Sequence, residues 1–116
     1  MWERRVELEG FASVMEAVRN AVPGLKNRAI AGPHDYEQIP ALVERNKQRV
    51  RNFYADFNAR LADVPFMAGD EFSVADITGV VTVDFATKAA DLPIGEEHAA
   101  LKRWYDSVSA RASMAA

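Results

Sequence analysis

The sequence predicts an all-α fold, a compact helical bundle of four main helices at about residues 2–22, 40–62, 74–91 and 96–112. Three observations carry that expectation. Apolar residues recur at helical spacing in four stretches. The five prolines lie between those stretches or at a helix start. Ser73 and Asp76 form a helix-start signature where composition alone suggests a strand.

The first stretch carries Leu8, Phe11, Ala12, Met15, Val18 and Val22 on one side of a wheel turning about 100° per residue. Val6, Val14, Ala17 and Ala21 widen that side, and Arg5, Glu9, Ser13, Glu16 and Asn20 form a narrow polar stripe opposite. So wide an apolar arc predicts burial against more than one neighbour. Pro23 and Gly24 stop the helix. Residues 24–38 have no period, and a connection of that length is uncommon unless it has a role.

In the second stretch Leu42, Val43, Val50, Phe53, Tyr54, Phe57 and Leu61 share an arc, with Pro40 suited to the first turn. Its other face carries Arg45, Lys47, Arg49 and Arg51, diluted by Glu44, Asp56 and amides. A solvated face is expected there, because no aromatic residues are interleaved with the charge.

The third stretch holds a β-branched run, Ile77, Thr78, Val80, Val81, Thr82 and Val83, that propensity assigns to a strand. Helix-start chemistry argues otherwise. Ser73 and Asp76 have the spacing of a capping box, and Phe72 and Ile77 that of a hydrophobic staple. Apolar all round, this helix is expected at the buried centre. Gly79 within it predicts close approach of a neighbour, since Gly costs about 1 kcal/mol relative to Ala in a helix. The fourth stretch places Leu101, Trp104, Tyr105 and Val108 on one face, with Glu96 and Glu97 in its first turn and a fraying tail from Arg111.

The 116 residues, 49% hydrophobic, suffice for one core, and residues 1–116 are read as a single domain. A net charge of -3 argues against nucleic-acid binding through a global basic field. The absence of cysteine excludes disulfides and thiolate chemistry within the chain, and two histidines do not build a metal site alone. No apolar run reaches the roughly 18 residues of a membrane span, so no membrane partner and a cytoplasmic location are expected. No nucleophile elbow surrounds any serine, and the glycines never form a phosphate cradle. Neither a catalytic residue nor a metal ligand is therefore assigned. His34, in the long connection, and His98 are expected to be surface histidines.

The segment Phe66-Met67-Ala68-Gly69-Asp70-Glu71-Phe72-Ser73-Val74-Ala75-Asp76-Ile77 resembles the helix-start segment of the C-terminal domain of cytosolic glutathione transferases. The first helix is similar to that of bacterial members and Leu101 to Tyr105 to their closing helix, so the resemblance covers the whole chain. It implies a glutathione transferase C-terminal-like bundle in which Ser73 and Asp76 start and hold the central helix. The thioredoxin-like half, which binds glutathione and activates its thiol, has no counterpart here. The chain is accordingly expected to hold no cofactor and to be inactive alone, with glutathione as co-substrate of a full-length protein that conjugates it to small hydrophobic electrophiles. From the geometry of the first helix, Glu9, Ser13, Glu16 and Arg19 are the expected substrate-binding residues. The family also implies a homodimer through the first two helices. The alternative is a stand-alone interaction module of the same fold without catalysis.

Overall fold

The computed structural model describes residues 1–111. The first helix is one rod in three consecutive stretches, α-helical Trp2–Arg5, π-helical Val6–Phe11 and α-helical Ala12–Ala21. A single 3-10 turn, Pro23–Leu25, follows it. The second helix is Pro40–Leu61, the third Val74–Ala90 and the fourth Ala99–Ser109. Among the described residues there is no strand, and the β-branched run of the third segment is helical as the capping signal requires.

The cap overrides propensity through Asp76. The Ser73 hydroxyl accepts from the Ala75 N–H at 3.3 Å, and Asp76 Oδ2 accepts from the Ser73 N–H at 2.9 Å. Asp76 is wholly buried, and its Oδ1 accepts from the Met67 N–H at 2.9 Å and from the Trp104 indole N–H at 2.7 Å. One carboxylate thus joins the cap, the preceding turn and the fourth helix, replacing water by three donors as a buried charge demands. Phe72 packs edge-on to Phe66 at a centroid distance of 6.1 Å, while Ile77 lies at the surface.

Around this hub the core gathers Val50, Phe53 and Phe57 of the second helix, Val80 and Val83 of the third, and Trp104 of the fourth. Gly79 is where the sequence anticipates close contact. A Cβ there would lie 2.7 Å from Met67 Sδ and 2.8 Å from the Trp104 ring.

Two expectations are corrected. The third helix is not buried all round: Val74, Ile77 and Val81, 58%, 38% and 47% exposed, form an apolar ridge at i, i+3 and i+7. The fourth helix starts at Ala99, so Glu96 and Glu97 precede it instead of occupying its first turn. Its third N–H, from Leu101, is satisfied by Asn58 Oδ1 of the second helix at 2.9 Å. Arg111 lies beyond the helix end at Ser109, and its guanidinium stacks 4.0 Å from the Phe72 ring centre. The rest of the expected tail, residues 112–116, lies outside the described residues.

The largest correction concerns the first helix. The face turned to the rest of the bundle carries Val6, Gly10, Ser13, Val14, Ala17 and Asn20, so two residues of the polar stripe, Ser13 and Asn20, are buried. Leu8 of the expected apolar arc is instead 53% exposed. The bundle-facing residues follow i, i+4, i+7, i+8, i+11 and i+14, one arc of a helix turning about 100° per residue, and Leu8 lies on the opposite side.

Candidate functional site

The rotated first helix presents Leu8, Phe11, Ala12 and Met15 to an open groove of about 840 Å³. Its opposite wall is the long connection, contributing Ile30 and Tyr36, and the start of the second helix closes one end with Ile39 and Leu42. Clefts of several hundred Å³ with mostly apolar walls and few polar groups suit small-molecule recognition.

The connection holds its shape by its own bonds. The Tyr36 N–H donates to Asn27 C=O at 3.0 Å and the Ala29 N–H to Tyr36 C=O at 3.2 Å, which folds residues 27–36 into an arch. Asn27 takes the left-handed conformation at φ 63°, and Gly32, at φ +133°, has a backbone angle that side chains strain. Side chains then tie the arch's root to the first helix. Gln38 Nε2 donates to the carbonyls of Arg19 and Val22 at 3.0 and 2.7 Å, and the Ile39 N–H donates to Asn20 Oδ1 at 2.8 Å.

Of the four expected substrate-binding residues, two reach this groove. Glu16 and Arg19 line it. Glu16 Oε1 accepts from Asn46 Nδ2 at 2.9 Å, so one of its oxygens is already engaged by the second helix. Arg19 Nε is buried and has no hydrogen-bond partner. Ser13 is wholly buried, its hydroxyl donating to Glu9 C=O at 3.0 Å, and faces the core instead of a ligand. Glu9 pairs with Arg5 at 2.7 Å, and neither it nor Ser13 lines the groove. The hydrogen bond to Glu9 holds the Arg5 guanidinium pKa above its ordinary value. His34 is exposed and does not line the groove.

Sequence reasoning missed the apolar wall, because Leu8, Phe11 and Met15, apolar and on one side of the helix, read as its core face. It also missed Asn46, a wholly buried amide in the apolar arc of the second helix that donates to Leu42 C=O and Glu16. The available signal was the polar residue itself at a core position. Among the described residues no cluster of three or more His, Asp or Glu side chains is placed to hold a metal ion, and no helix is long and apolar enough to cross a membrane.

A family model described as the glutathione S-transferase C-terminal domain matches residues 40–107, more than half of the chain. The chain belongs to the glutathione S-transferase C-terminal domain family. Its relatives among glutathione S-transferases include glutathione S-transferase 2 of Saccharomyces cerevisiae, 32% identical over 98% of this chain and 46% of the relative. The crystal structure of Gtt2 from Saccharomyces cerevisiae superposes with a TM-score of 0.86 at 30% identity, over 99% of this chain and 52% of that one. A glutathione S-transferase domain-containing protein of Marinobacter aquaeolei gives 0.85 at 30% identity, over 98% of this chain and 53% of that one. This glutathione S-transferase domain thus spans about half the length of the relatives it matches.

Proposed function

We propose that the chain is the electrophile-receiving half of a glutathione transferase and that the groove between the first helix and the arch is its co-substrate wall. The observation that carries this reading is the exposure of Leu8, Ile30, Tyr36 and Ile39, 53%, 58%, 43% and 50%, around one concave surface. Contiguous apolar area of that kind marks a ligand or partner site, since solvent disfavours it. In the complete enzyme a thioredoxin-like half would bind reduced glutathione and lower its thiol pKa. The thiolate sulfur would then bond to the electrophilic carbon while the leaving group departs with the displaced electron pair. This half contributes the apolar surface that desolvates and orients the electrophile, which accelerates by proximity.

Alone, in the cytoplasm or in a cuvette, the chain is inert. The purified 116-residue chain should give no turnover of chlorodinitrobenzene with glutathione, and fusion to a thioredoxin-like glutathione transferase half should restore it. Turnover by the isolated chain would refute this division of labour.

A second reading, an interaction module without catalysis, is favoured by the Val74, Ile77 and Val81 ridge, a narrow apolar strip suited to another protein surface. A fusion that folds yet never turns over any electrophile supports that reading. A homodimer through the first two helices belongs to either reading. Sedimentation should detect it, and a clean monomer at high concentration would remove it.

A further inference from the structure

We propose that the groove selects amphipathic electrophiles that carry an anionic group beside their apolar body, with Arg19 as the residue that reads the charge. This rests on the reading of the groove as the co-substrate wall and adds the chemical class of what it takes.

The groove offers two electrostatic cues of opposite sign. Glu7, Asp35 and Glu37 line it and are exposed. Being hydrated, they act on a ligand through water, and at physiological salt their field fades within about 8 Å. Arg19 is placed differently. Its Nε is buried yet meets no acceptor, and no carboxylate lies within ion-pair distance of it among the described residues. A buried donor without a partner is destabilising, and a charge-assisted bond to an anion is among the strongest contacts that could relieve it.

The surroundings hold Arg19 in that state. Glu16, one turn earlier and also lining the groove, has one carboxylate oxygen engaged by Asn46, and Asn20 is engaged by Glu16 C=O and the Ile39 N–H. The Arg19 carbonyl is fixed by Gln38, so the backbone beneath the guanidinium is tied to the arch. Met15 and Leu42 line the same groove and supply apolar surface. A ligand that lays its apolar body on these side chains would bring a carboxylate or sulfonate against Arg19. The short-range contact at the half-buried guanidinium outweighs the screened acids of the rim, which lower the affinity without deciding the sign.

The test uses the full chain and two fluorescent probes that share an aromatic body, anilinonaphthalene sulfonate and neutral phenylnaphthylamine. The sulfonate should bind about tenfold tighter or more. Arg19→Gln should abolish that preference and leave the neutral probe unchanged, and Arg19→Lys should keep part of it. Met15→Asp should weaken both probes in a chain whose circular dichroism is unaltered. Equal affinities in the wild type, or a preference that survives Arg19→Gln, overturn the anion selectivity while the groove stands. Loss of neither probe in Met15→Asp, or binding of neither in the wild type, overturns the groove reading and the inference together.

Discussion

Asp76 carries more of the fold than any other polar side chain described, because its two oxygens serve donors from three parts of the chain. Asp76→Ala leaves the Met67 and Ser73 amides and the Trp104 indole without their acceptor, and the expected loss is about 3–5 kcal/mol in urea unfolding. Ser73→Ala removes only the 3.3 Å contact to Ala75, and about 1 kcal/mol is expected. Equal losses for the two variants would contradict the hub. At Gly79 two effects oppose each other. Alanine favours the helix by about 1 kcal/mol, but its Cβ would sit 2.7 Å from Met67 Sδ and 2.8 Å from a Trp104 ring held by Asp76. Overpacking wins, and Gly79→Ala should lower stability by about 1–3 kcal/mol. A raised melting temperature in that variant would count against the tight approach. Both residues were legible in the sequence, Asp76 through its spacing from Ser73 and Gly79 through its cost in a helix. Asp76's bonds to Met67 and Trp104 were not, because they span 9 and 28 residues and no local pattern encodes them.

At the scale of elements the four helices were legible because each has a period and a stop. The second and third end within one residue of the sequence boundaries, Leu61 against 62 and Ala90 against 91. The facing of the first helix was not legible, and that decided the site. The polarity of Ser13 and Glu9 suggests a ligand face, whereas the structure places Ser13 in the core and Leu8 at the groove. The second apolar arc of Val6, Gly10, Val14 and Ala17 was the signal, because it lies opposite Leu8 on the same wheel. A Cβ at Gly10 would lie 2.8 Å from the ring tip of buried Phe53. Gly10→Ala should therefore destabilise the protein by about 1–3 kcal/mol and perturb probe binding in the groove, whereas Gly24→Ala, with no atom within 4 Å of its Cβ, should change neither. An unperturbed Gly10→Ala would contradict the tight approach of Phe53 to the first helix.

For the whole molecule, two tyrosines set an alkaline limit. Burial pushes the Tyr54 hydroxyl well above its ordinary value of 10.0, with the Asp84 charge adding to the shift, and its O–H donates to Leu92 C=O. Tyr105 is raised first by its hydrogen bond to Asp84. Both groups favour the neutral form when folded, so their contribution is complete below about pH 10 and disappears as the pH climbs through the raised values. The urea midpoint should fall above about pH 10, less steeply in Tyr105→Phe; a midpoint indifferent to that substitution would dissociate Tyr105 from the effect. The arch has a different consequence at this scale. It closes on itself between Asn27 and Tyr36 and is moored by Gln38 and Asn20 at its base, while its tip, residues 30–35, is exposed. Insertions or replacements at residues 30–35 would reshape the groove and spare the helices. Evolution, or a library of variants, has there a segment in which ligand range drifts independently of folding.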